Sequence, residues 1–122
     1  VDSSPAFDPT VFDTLRASVD DDTAFLVELV NDYLHDAQEL LDTMRSAVDN
    51  EDQSLLERAA HSLKSTSKTV GALALADVCA TIERHAHDGH VHDAAHRLPD
   101  ARACFNAAKG PLTSRKSTLH VE

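Results

Sequence analysis

The chain has 122 residues, a length that suits a single domain, and 11 Lys plus Arg against 21 Asp plus Glu leave it at −10 with histidine neutral. That balance argues against nucleic-acid and anionic-membrane partners, since both need clustered cations to displace counterions or to meet acidic headgroups. With 42% hydrophobic residues, three Gly, four Pro and only 4% aromatics, the chain can bury an aliphatic core, and richness in Ala and Leu favours helix over sheet. Eight histidines in so small and acidic a chain are the compositional oddity.

Residues 1–7 read as a flexible arm. The chain opens Val1-Asp2-Ser3-Ser4 without Met, basic n-region or apolar stretch, which reads as a processed chain or a piece excised from a longer one. Asp8-Pro9 then offers an N-cap followed by proline at the first helical position, and a short helix runs to about Ser18. The triplet Asp20-Asp21-Asp22 breaks it and caps a long second helix, from about Thr23 to Val48. There Leu26, Leu29, Val30, Tyr33, Ala37, Leu40, Leu41, Met44 and Val48 recur every three or four residues as a core-facing stripe. Asn50, three residues before Gln53, is a weak capping box for a third helix that reaches Val70 and ends at the left-handed terminator Gly71.

A fourth helix resumes the stripe from Leu73 through Ala76, Cys79, Ile82 and Ala86 to Gly89. A fifth spans about Val91 to Lys109, kinked or interrupted at Pro99 and stopped by Gly110-Pro111, leaving residues 111–122 as a flexible tail. Cys79 and Cys104 each sit among apolar residues at helical spacing and read as two buried thiols rather than a bridge or a redox pair. No run approaches the 18 or so apolar residues of a membrane span. Long amphipathic segments with short connections predict an all-α fold: an antiparallel up-and-down four-helix bundle over residues 8–110, with a short N-terminal accessory helix.

The chemistry concentrates on the third helix. At roughly 100° per residue, Ala60, Leu63, Ser67 and Val70 fall within about 40° of Leu56 and form its buried stripe. His61 falls about 140° from that reference, on the boundary between bundle and solvent. Lys68 lies about 20° from His61, Ser65 about 40°, and Lys64 and Arg58 about 60° to either side. Three cations beside the ring disfavour imidazolium, so the expectation is a neutral imidazole whose ring nitrogen is a lone-pair nucleophile in a setting that welcomes an attached anion such as phosphoryl. From Leu55 to Ala76, Arg58, Lys64 and Lys68 face the single acid Glu57, so this helix is locally positive in an acidic chain. A surface helix carrying ordinary Lys and Arg with an incidental histidine is the plain alternative.

The run Ala60-His61-Ser62-Leu63-Lys64-Ser65-Thr66-Ser67-Lys68-Thr69-Val70-Gly71-Ala72 closely resembles the signature of histidine-containing phosphotransfer (HPt) domains, approximately A-H-x-L-K-G-x-S-x-x-hydrophobic-G-A. Residues 8–108 also follow the family's helix order. One position departs: the glycine usual four residues after the histidine is Ser65, small enough to let a partner approach and able to hydrogen-bond a phosphoryl oxygen. The resemblance implies that His61 is the phosphoacceptor, receiving phosphoryl from a receiver-domain aspartate and relaying it to another response regulator. It implies that Lys64 steadies the phosphoryl oxygens or the docked partner; Lys68 adds electrostatic support by geometry, while Ser67 and Gly71 are structural. The domain then has no ATP site and is a phosphocarrier rather than an enzyme. It binds no cofactor of its own; the Mg²⁺ that in-line transfer needs is held by the partner receiver. The implied partners are receiver domains and, upstream, a sensor histidine kinase. Docking is expected on an exposed apolar patch near His61 with a polar rim. The implied state is a cytoplasmic monomer, free-standing or the C-terminal domain of a membrane-bound hybrid kinase; the phosphoacceptor domain of a chemotaxis-type kinase is a related reading.

His85, His87, His90, His92 and His96 crowd into twelve residues, and His92 with His96 has the i, i+4 spacing of a metal-binding helix face. A His-rich metal-binding bundle is therefore the rival reading, with a zinc or nickel site made by the last two helices around the Gly89 turn and Asp88 and Asp93 as the only nearby acids. With no cysteine in the cluster and no HExxH glutamate, the default is a solvated turn, and no residue is assigned as a metal ligand.

Overall fold

A computed structural model describes residues 4–121, with side chains through Leu119, and shows five helices: α1 (Pro9–Ser18), α2 (Thr23–Asp49), α3 (Gln53–Val70), α4 (Leu73–His87) and α5 (Val91–Val121). Each of α2 to α5 packs on its sequence neighbours, and α2 meets α5 to close the ring, while α1 lies against α3. This is the antiparallel bundle with a front accessory helix that the sequence predicts, and the described residues contain no strand.

The helix starts follow from local chemistry. Asp8 accepts from the Thr10 amide at 2.9 Å with Pro9 at the first helical position, and Asp22 accepts from the Phe25 amide at 3.1 Å. For α3 the cap is Asp52, accepting from the Leu55 amide at 3.1 Å, whereas Asn50 closes α2. The capping box expected of Asn50 and Gln53 does not form, because the Gln53 amide reaches across to the His87 carbonyl at 3.2 Å. At the other end, Gly71 adopts a φ of 95°, and a Cβ there would stand 2.8 Å from the Asp8 carbonyl oxygen. Both the left-handed turn and the close approach of the segment leading into α1 require glycine. The Asp8 amide donates to the Gly71 carbonyl at 2.8 Å, fastening the front helix to the end of α3.

The α2 stripe is buried as predicted at Leu26, Val30, Tyr33, Ala37, Leu41 and Met44, with Leu29, Leu40 and Val48 partly buried at its edges. It meets Leu56, Ala60 and Leu63 of α3, Leu75, Cys79 and Ile82 of α4, and Ala101 and Phe105 of α5. Cys79 is buried and Cys104 half-buried, both as free thiols.

Both chain ends differ from the sequence reading. Residues 4–7 are docked rather than loose: the Pro5 carbonyl accepts from the Ala74 amide at 2.9 Å, and the Phe7 ring lies 6.0 Å from that of Phe12. Residues 1–3 of the expected arm lie outside the described residues. At the other end α5 runs through Pro99, Gly110 and Pro111 to Val121 instead of stopping at Gly110-Pro111. An interior proline costs roughly 3 kcal/mol or more in helix stability. Burial of Leu112 and Leu119 beyond it supplies the compensation. The Arg115 guanidinium adds an ion pair to Asp13 at 3.1 Å and stacks over the rings of Phe7 and Phe12. No helix among the described residues is long and apolar enough to cross a membrane.

Candidate functional site

Between its caps, α3 turns Ala60 and Leu63 fully into the core and so leaves His61 on its rim, with 62% of the side chain exposed. The boundary position inferred from the helical wheel is the observed one. The setting of the ring is different. His61 Nδ1 lies 2.7 Å from Glu83 Oε2, and the second oxygen of that carboxylate, Oε1, accepts from Lys64 Nζ at 2.6 Å. One carboxylate from α4 thus ties together the histidine and the lysine of the α3 motif.

Burial works to raise the Glu83 carboxyl, but hydrogen bonds from Lys64 and then His61, together with their charges, outweigh it and hold the group below its ordinary value. An ionised carboxylate only accepts hydrogen bonds, so Nδ1 of His61 carries the proton that it donates to Glu83. In the neutral ring the lone pair then resides on Nε2, which makes no hydrogen bond to another described residue. The expected ring of cations is therefore corrected: the charged group in contact with the imidazole is an acid, and it fixes the tautomer. Lys64 balances that acid and is only 23% exposed.

The other residues of the predicted site are dispersed along the exposed face. Ser65 is exposed one turn beyond His61, its carbonyl accepting from the Thr69 hydroxyl at 3.2 Å. Lys68, about two turns on, lines a shallow groove against α1 with Val11, Thr14, Leu15, Ser18 and Thr69. Arg58 is turned back on its own helix, its Nε 3.4 Å from the Ser54 carbonyl. Ser67 is structural as expected: it is fully buried, and its hydroxyl lies 2.7 Å from that of Tyr33. Burial pushes the Tyr33 phenol up to about 12, with the Ser67 hydrogen bond pulling in the opposite direction, so the pair is a neutral clasp between α2 and α3.

Glu83 is the member of this hydrogen-bonded site that the sequence pattern does not single out. A signal was present, because His61 and Glu83 lie equally far, eleven residues, on either side of Ala72 at the hinge of two antiparallel helices. Cys79 and Ile82 face the core, which places Glu83 at the edge of the α4 stripe nearest α3. Beside it, Glu57, Ala80, Arg84 and His87 complete a groove in which His87 Nδ1 lies 3.1 Å from Glu57 Oε2.

On the opposite flank of α3, between it and α2, runs a larger apolar groove of ≈ 360 Å³. Its floor is Leu29, Tyr33 and Val70, its acidic rim Glu28, Asp32 and Asp36, and its mouth Phe25, the one large hydrophobic side chain that is exposed among the described residues. An exposed apolar surface with a polar rim is the arrangement anticipated for docking, displaced toward the C-terminal turns of α3 that carry Thr66 and Thr69.

Comparison with known proteins agrees with this architecture. The family model described as Hpt domain matches residues 28–110. Among solved structures, the chain is similar to histidine-containing phosphotransfer protein B (HptB) from Pseudomonas aeruginosa PAO1, at 25% identity and a TM-score of 0.85, over 95% of this chain and 98% of that one. No curated protein matches the chain by sequence.

Proposed function

The chain belongs to the Hpt domain family, whose role is histidine phosphotransfer in phosphorelays, and on that premise we propose that His61 accepts a phosphoryl group from a receiver-domain aspartate and relays it to another response regulator. The observation that carries this reading is the exposed imidazole whose Nδ1–H is held by Glu83, leaving Nε2 as the nucleophile. In the forward step the Nε2 lone pair attacks phosphorus, the P–O bond to the donor aspartate breaks, and the electron pair leaves with that carboxylate. The ring becomes a cationic phosphoimidazole, and Glu83 stabilises the charge through the Nδ1–H bond. Relay onward is the reverse step, with the second receiver's aspartate as nucleophile.

Lys64 sets the charge and position of Glu83 and stands one turn from the phosphoryl group. Ser65 and Lys68, exposed on the same helix, supply a hydroxyl and a cation along the approach of the phosphoryl oxygens. Mg²⁺ belongs to the receiver's acidic pocket in this scheme. Receiver docking over the exposed face of α3 and the adjoining apolar groove fits the exposed Phe25, and the acidic rim of that groove favours a partner with basic groups at its edge. We place the protein in the cytoplasm with these partners, as a monomeric phosphocarrier without an ATP site. Incubation with a phosphorylated receiver domain and Mg²⁺ is expected to give acid-labile, alkali-stable phosphate on the chain, and incubation with ATP alone none. Labelling by ATP alone, or acid-stable phosphate, would contradict the reading.

A further inference from the structure

We propose that His85, His90 and Asp93 form a binding site for a divalent first-row transition cation of the zinc class, at the junction of α4 and α5. One ligand atom from each of the three side chains lies within 4.8 Å of the others, although the residues come from two helices and the turn between them. The backbone builds this convergence. Past the end of α4, Gly89 takes a left-handed φ of 82°, its amide donates to the Ala86 carbonyl at 3.0 Å, and the His90 amide donates to the His85 carbonyl at 2.8 Å. These two bonds are the paired closure of a Schellman motif, which sets the side chains three residues before and two after the C-cap against each other, usually as a hydrophobic contact. Here those two positions are both histidine. The Ala94 amide donates to the His90 carbonyl at 3.1 Å and starts α5, which brings Asp93 round to the same side, its Oδ2 lying 3.8 Å from His90 Nδ1.

Bonds of about 2.0–2.2 Å in a tetrahedral site separate neighbouring donor atoms by about 3.3–3.6 Å. The His90 Nδ1–Asp93 Oδ2 distance of 3.8 Å is close to that spacing, and both of these side chains are exposed, while all three ligand atoms lie within 4.8 Å of one another. Two imidazoles and one carboxylate, with the fourth position left to water, suit Zn²⁺, Ni²⁺ or Co²⁺, and the lack of a thiolate disfavours Cu⁺. The −10 charge of the chain raises the local concentration of cations. The i, i+4 pair singled out by spacing, His92 and His96, is not part of the cluster. A second group, His35, Asp36 and Glu39, lies on one stretch of α2, where His35 already pairs with Glu39 at 3.4 Å and no second element fixes the ligands.

The test is calorimetric titration of Zn²⁺ into the chelator-stripped full chain carrying His35→Ala, so that one cluster is read. One Zn²⁺ per chain is expected, with affinity reduced at least about tenfold by His90→Ala or by Asp93→Asn and unchanged in the double variant His92→Ala/His96→Ala. A melting temperature that rises with Zn²⁺, and does not rise in His90→Ala, is the matching stability readout. Absence of saturable heat, equal affinity in the parent, His90→Ala and Asp93→Asn, or loss of binding in His92→Ala/His96→Ala overturns the proposal. Both single substitutions are at exposed side chains, so the bundle core is untouched.

Discussion

Replacing Glu83 by glutamine tests the chemistry of the site while keeping its shape. Glutamine can still accept from His61 Nδ1–H through its carbonyl oxygen, but it carries no charge and turns its NH₂ group toward Lys64. What is lost is the charged hydrogen bond now 2.7 Å long, which strengthens as the ring becomes cationic on phosphorylation. Hydrogen bonds to charged groups contribute about 1.5–3 kcal/mol, and with 62% of the His61 side chain exposed the lower end applies. Since 1.36 kcal/mol is a factor of ten in rate, phosphoryl transfer to Glu83→Gln should slow about tenfold. The assay is single-turnover loss of label from a phosphorylated receiver domain, with circular dichroism to verify that the bundle is intact. A folded Glu83→Gln variant that accepts phosphate within about twofold of the parent rate would refute the role given to this carboxylate.

The same carboxyl makes an acid-side prediction. Its folded-state value lies below its ordinary one, so it contributes stability above the unfolded value near 4.3 and loses that contribution as pH falls through the lower folded value. Thermal melts of the parent and Glu83→Gln should therefore converge in acid; a constant gap would contradict the linkage. Tyr33→Phe strands the fully buried Ser67 hydroxyl and should cost about 1–3 kcal/mol in urea unfolding. Adding Ser67→Ala should recover part of that loss, and strictly additive costs would mean that the two hydroxyls do not interact. Leu112→Ala, beyond the proline, should cost about 2–5 kcal/mol in the same assay, whereas a negligible cost would show that the end of α5 is not held on the core.

Features that depend on neighbours in sequence were legible without coordinates. Asp8-Pro9, Asp22 and Gly71 mark helix ends through their own side chains or the lack of one, and the α2 stripe declares its buried face by period. The boundary position of His61 followed from the same arithmetic. What escaped depends on contacts between distant segments. Nothing local in Gly110-Pro111 announces that Leu112 and Leu119 find buried places or that Arg115 reaches Asp13 and two aromatic rings. The mirror spacing about Ala72 places Glu83 opposite His61, but only the closed α3–α4 hairpin sets its carboxylate between His61 and Lys64. In the histidine cluster the sequence locates the Gly89 turn and Asp93, but helical spacing favours His92 with His96, whereas the ligand atoms that converge belong to His85, His90 and Asp93.

In the proposed transfer, phosphate enters on Nε2 of His61 while Nδ1 stays bonded to Glu83. The most direct measurement is long-range ¹H–¹⁵N NMR of the imidazole nitrogens in the protein phosphorylated by a receiver domain. The expected result is a single phosphohistidine at His61, with phosphorus on Nε2 and a protonated Nδ1. Phosphorus on Nδ1, or on any other residue, would contradict it.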